Sequence, residues 1–172
     1  DVMAVATGTH QYLTFTLENE QYAVDVAKVR EVLEETPLTK IPRMPEFMKG
    51  VINIRGSVVP VIDLRLKFGM EEGERTVDTA IIVMDINAED TTITAGCLAD
   101  SVQEVIDILP ENIEGAPKLG TKVDTNFIQG MGKRDDQFII ILDIDKVFQQ
   151  DELQAVEQGK RLADAPVAAS AS

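Results

Sequence analysis

The chain has 172 residues, 44% of them apolar and 27% charged, enough to bury one core or a compact pair of subdomains. Its formal net charge of -14 repels phosphate backbones and anionic lipid, so neither nucleic acid nor direct membrane insertion is expected. No apolar run reaches the roughly 18 residues needed to span a bilayer. One cysteine excludes an intrachain disulfide, which suits a reducing compartment. In the apolar stretch ITAGCLA, Cys97 reads as a small core hydrophobe.

Residues 1–10 lack periodicity and read as a flexible lead-in, and Asp1 in place of an initiator Met leaves room for residues upstream. QYLTFTL and QYAVDV alternate around the turn ENE, which predicts a hairpin. VAKVREVLEE spaces Val26, Val29, Val32 and Leu33 at helical intervals. TPLTKIPRMPEF carries three prolines and should be extended or turning. GVINI and SVVPVIDL read as strands meeting at Arg55-Gly56, with Pro60 arguing for an edge or bulge. RLKFG suggests one helical turn, and MEEGERTVD a polar linker. TAIIVMDI and TTITAGCLA form a second predicted hairpin, followed by DSVQEVIDI and a Pro/Gly-rich passage. FIQGMG and QFIIILDI make a third hairpin around KRDD. From Asp151 a solvated helix is expected, then a disordered tail of small residues to residue 172.

An internal repeat organises these elements. Residues 47–68 align without a gap over residues 127–148, matching Phe47 to Phe127, Gly50 to Gly130, Asp63 to Asp143 and Phe68 to Phe148. Upstream, VREVL (29–33) matches VQEVI (102–106). The repeat predicts a mainly β fold of two similar small barrels, roughly residues 15–69 and 76–148, with terminal strands open to exchange. Arg55 and its counterpart Asp135 fall at hairpin tips, where a charge reaches water or another chain. A rigidly held arginine loses little entropy on pairing, which points to partner contact.

Catalytic patterns are weak. His10 is the only histidine and lies in the lead-in, so no triad or histidine metal cluster can be built on it. GMGKRD lacks the first glycine and the hydroxyl of a phosphate loop, and DINAED puts Asp90 where a calcium loop needs glycine. Asp143 and Asp145 are the best carboxylate pair, but Asp63 repeats Asp143 at the same strand end, as helix caps would. No catalytic, metal or cofactor site is expected.

QYLTFTLENEQYAVDVAKVREVLE, IPRMPEFMKGVINIRGSVVPVIDLRLKFG and IIILDIDKVF together resemble the CheW family of bacterial chemotaxis coupling proteins, over about residues 11 to 150. The resemblance implies two pseudo-symmetric five-stranded SH3-like β-barrels with short helices and a C-terminal helix. It implies a cytoplasmic, non-enzymatic adaptor that joins the CheA histidine kinase, through its regulatory domain, to the cytoplasmic tips of chemoreceptors in a membrane-associated array. The alternative is a CheW-like part of a larger signalling protein, of CheV type or the kinase's regulatory domain itself. By position, Leu13, Val26, Val29 and Val102 match the family's receptor-binding groove, and some of them could equally be plain core. Glu31 and Arg55 match an interface-shaping charged pair, expected to be ion-paired, and Gly50 a structural glycine. Ile41, Pro42 and Met44 match one kinase or ring contact. Lys118 and Leu119 match a second, where Lys118 departs from the family pattern. Self-association in rings would follow from such end-to-end contacts.

Overall fold

The computed structural model describes residues 10–34, 36–87, 91–115, 124–134, 136–148 and 150–164. Its strands are β1 (Gln11–Leu17), β2 (Glu20–Asp25), β3 (Val29–Glu34), β4 (Met48–Ile54), β5 (Ser57–Asp63), β6 (Ala80–Asn87), β7 (Thr92–Ala99), β8 (Ser101–Asp107), β9 (Ile113–Glu114), β10 (Ile128–Arg134) and β11 (Gln137–Leu142). Three α-helices join them: α1 (Leu64–Lys67), α2 (Ile144–Val147) and α3 (Gln150–Asp164). The hairpin turns follow local chemistry. Glu18 and Asn19, between β1 and β2, both have positive φ (50° and 68°), as a type I′ turn requires. Arg55 and Gly56 repeat this between β4 and β5 (49° and 89°).

The strands form two sheets, ordered β8-β1-β2-β11-β10-β9 and β3-β6-β7-β5-β4. The fold is mainly β, with two related sheets of six and five strands. Among the described residues neither ladder closes into a complete barrel. Each repeat sends its leading hairpin into the other sheet: β1–β2 joins the later strands β8, β10 and β11, while β6–β7 joins β3, β4 and β5. Two parallel seams make the exchange, with Tyr22 opposite Ile140 in one and Val61 opposite Gly96 in the other. Both closing hairpins carry a register shift at the repeated glycine, between Met48 and Gly50 and between Ile128 and Gly130.

The long apolar runs arise because both faces of the strands are covered. Ile62, Ile82, Ile140 and Leu142 face a central core shared by the two sheets, with Phe15, Leu17, Tyr22 and Met84. Their neighbours Val61, Ile81, Ile139 and Ile141 fill a smaller cluster on the opposite face of each sheet. Asp63 and Asp143 cap α1 and α2, accepting from the backbone N–H of Arg65 at 2.9 Å and of Asp145 at 3.2 Å.

Four local expectations change. Val26–Lys28 is a single 3-10 turn, and Val29–Glu34 is a strand rather than a helix. Val29, Glu31 and Leu33 turn inward while Arg30, Val32 and Glu34 face out, and pairing with β6 overrides the helical spacing. DSVQEVIDI becomes β8 in the same way, paired with β1. Pro60 lies in the interior strand β5, one residue before the β7 ladder begins at Val61. α3 is not merely solvated: Leu153 and Val156, three residues apart on one face, are buried in the central core.

Candidate functional site

Val29 and Val102, counterparts in the repeat, begin or nearly begin β3 and β8, each the terminal strand of its sheet. Both are half-buried against the central core, Val29 opposite Met84 and Val102 opposite Phe15. Leu13, on β1, is only 6% exposed and belongs to that core. Val26 is partly exposed in the 3-10 turn capped by Asp25. Sequence reasoning missed Val32 and Val105, which stand out from the same edges at 42% and 48% exposure. They are themselves counterparts, three residues beyond Val29 and Val102, so the VREVL/VQEVI match contained the signal. A terminal strand with outward valines is chemically suited to receive another chain.

Arg55 donates from Nη2 to Glu31 Oε2 at 2.5 Å, with the arginine side chain 76% exposed. The pair joins the two terminal strands of the five-stranded sheet, since Glu31 lies on β3 and Arg55 follows the end of β4. The sheet therefore curls until its edges meet, and the ion pair crosses the opening. A cleft of about 530 Å³ lies there. Arg55 holds its position with a left-handed backbone that a type I′ turn normally gives to Asn, Asp or Gly.

Gly50 has φ +149°, and a Cβ there would sit 2.5 Å from the Thr39 carbonyl oxygen. Thr39 and Val51 exchange two backbone hydrogen bonds at that point (2.9 and 2.8 Å), so the approach is fixed. Of the segment matched to a ring contact, Pro42 is exposed, whereas Ile41 and Met44 are half-buried against the central core. Gly159 of α3 faces Met44 and Met48, so α3 packs over this segment. Lys118 and Leu119 lie outside the described residues.

The carboxylates considered for chemistry have structural partners. Asp143 caps α2, and Asp145 pairs with Lys28 at 2.8 Å and accepts from the Asn87 N–H at 2.8 Å. Among the described residues no cluster of three His, Cys, Asp or Glu could hold a metal ion. Cys97 is fully buried, and burial pushes its thiol pKa up to about 12, so it is inert in the native state. No helix among the described residues is long and apolar enough to cross a membrane.

Residues 11–152 match the model of the CheW-like domain. The chain is 33% identical over 155 residues to the chemotaxis protein CheW of Klebsiella aerogenes, covering 90% of this chain and 91% of that one. It is 29% identical over 154 residues to the probable chemotaxis protein CheW of Rhizobium etli, covering 90% and 97%. The crystal structure of the scaffolding protein TtCheW from Thermoanaerobacter tengcongensis superposes with a TM-score of 0.74 at 38% identity, covering 84% and 90%. By contrast, the match to the chemotaxis protein CheV3 of Helicobacter pylori is 24% identical and takes in only 45% of that protein. With paired sheets of the same architecture and a family match over nearly all the described residues, this chain belongs to the CheW-like domain family.

Proposed function

We propose that the chain is a non-enzymatic adaptor of bacterial chemotaxis, in the cytoplasm, that couples the CheA histidine kinase to the cytoplasmic tips of chemoreceptors. Residues 11–150 form the adaptor body in this reading, with α3 packed on it. The observation that carries the reading is Arg55. A fixed hairpin tip presents an exposed guanidinium, oriented by Glu31, at the mouth of a curled sheet. Such a group contributes little to stability and much to the orientation and choice of a partner. The higher identity to CheW relatives, 33% and 29% against 24% to CheV3, supports the adaptor reading over a CheV-type one.

Val29 and Val102, at matching sheet edges, are the proposed receptor contacts. Pro42 and the neighbouring Ile41 and Met44 are the proposed kinase or ring contact, and Lys118 and Leu119 the second. The test is calorimetric titration of the full chain with a kinase regulatory domain and with a receptor tip from the same bacterium. Arg55→Glu should weaken binding while circular dichroism stays native, and Val29→Asp should abolish receptor binding. Wild-type protein that binds neither partner would overturn the reading.

A further inference from the structure

The cleft at the Arg55 tip carries more positive charge than the Glu31 pair accounts for. Arg30 from β3, Arg55 from the hairpin turn and Lys160 from α3 line it, three cations against two carboxylates, Glu31 in the lining and Asp85 behind Arg30. This is the reverse of a chain whose net charge is -14. Arg30 is held by the Thr94 hydroxyl at 3.3 Å and Asp85 at 3.6 Å, and its side chain remains largely exposed. Among the described residues Lys160 has no ion-pair partner. Half-buried Val58 is the most accessible of the three lining valines, Val59 and Val83 being buried. The three cations come from three separate elements, and α3 is docked on the sheet that carries the other two.

We infer that this cleft docks an acidic segment of a protein partner, its carboxylates meeting Arg30, Arg55 and Lys160 and a neighbouring apolar side chain resting on Val58. The inference rests on the reading of Arg55 as a docking residue and specifies the chemistry it meets. Charge-assisted hydrogen bonds to a carboxylate are among the stronger polar contacts, and guanidinium groups favour the planar, two-pronged geometry. A phosphate polymer fits poorly, because the remaining negative charge of the chain repels an extended polyanion. A short acidic segment meets only the local cations. The volume of about 530 Å³ accommodates a few side chains.

The test uses the full chain and two fluorescein-labelled octapeptides, one alternating Glu and Leu and the other Gln and Leu. Each is titrated by fluorescence anisotropy at about 0.15 M salt, where long-range attraction is largely screened. The Glu peptide should bind saturably, and the Gln peptide at least about tenfold more weakly, equivalent to the loss of one charged contact. Lys160→Glu and Arg30→Glu should each reduce binding of the Glu peptide about tenfold, with Lys160→Gln falling between. Thermal melts establish folding, and Lys160→Gln serves if a charge reversal unfolds the chain. Equal affinity for the two peptides, absence of saturable binding, or full binding by the folded Lys160 variants would overturn the inference. The same wild-type preparation is titrated with the kinase domain and receptor tip. If it binds both while the peptides fail to discriminate, the acidic-segment inference falls alone. If it binds neither while the peptides discriminate, the adaptor reading falls.

Discussion

The ring of Phe47 lies 5.9 Å from that of Phe148, joining the start of the first repeated segment to the end of the second. Phe68 and Phe127 make the reciprocal contact, also at 5.9 Å. Lys67 breaks this symmetry. Its ammonium lies 5.0 Å from the Phe127 centroid, 5.8 Å from Phe148 and 6.0 Å from Phe47. It also reaches Glu152 of α3 at 3.4 Å, while its side chain is only 9% exposed. The matching residue of the second repeat is the buried Val147. One cation thus fills the aromatic junction and fastens α3 to it.

Removing that cation should loosen both. Lys67→Ala, losing stem and charge, should lower the unfolding free energy by about 2 kcal/mol, and Lys67→Met, keeping the stem, by about 1 kcal/mol. Urea unfolding measures the loss, and hydrogen exchange should locate the greatest gain in mobility in α3. Equal stability of all three proteins would show that the aromatic junction does not need the lysine.

Gly50 and Gly56 both have positive φ but differ in surroundings. Gly56→Ala meets nothing within 4 Å and should cost about 1 kcal/mol, the backbone term alone. Gly50→Ala drives Cβ into the Thr39 carbonyl oxygen as well, and should cost about 2–4 kcal/mol. Denaturant midpoints for the two variants check the order.

Arg55→Asn separates stability from binding. Asparagine adopts the left-handed conformation more readily than arginine, so the hairpin should gain about 0.5–1 kcal/mol. The loss of the exposed ion pair, about 0–1 kcal/mol, opposes this, so overall stability should stay within about 1 kcal/mol of wild type. Partner affinity should fall in the same protein. A variant that is both less stable and fully competent to bind would contradict the role given to the tip.

Asp63 predicts a pH dependence. Burial holds its carboxyl above its ordinary range, against the opposing pull of the Leu66 and Arg65 N–H groups and nearby Lys49. The folded state therefore keeps the Asp63 proton more tightly than the unfolded chain. Its contribution to stability is full below the unfolded pKa and declines as pH rises through the folded value. Asp63→Asn retains an acceptor for the helix cap without a charge. The stability difference between variant and wild type should move in the variant's favour between about pH 3 and pH 7. Asp63→Ala loses the cap and should cost about 1 kcal/mol. Chemical unfolding across that range tests the sign, and a flat difference would rule out the burial effect.

Much of the fold was legible because turns and repeats are written locally. Alternation around ENE, the Arg55-Gly56 tip and the repeated Asp63 and Asp143 caps all depend on neighbours in sequence. The segment around Val29 was not legible as a strand. Its valine spacing suits a helix, and the ladder that decides the matter comes from β6, some fifty residues later. α3 offered Leu153, Val156 and Ala163 as a thin apolar stripe among polar residues, with Leu162 off that face, too little to indicate burial. At the candidate site, the Glu31 and Arg55 pair was visible only through family resemblance, since nothing local relates two residues on opposite sheet edges. Lys160 was invisible for the same reason, being brought to Arg30 by the docking of α3.

The reciprocal exchange of leading hairpins gives the molecule no seam along which it can be divided. Cutting the chain between repeats would leave each half with strands whose hydrogen-bonding neighbours reside in the other piece. Such a half could regain its sheet by associating with a second copy of itself, as a dimer built from one repeat. In the intact chain both halves must come apart together, so the valine-bearing edges and the arginine tip keep a fixed mutual orientation until the whole protein melts.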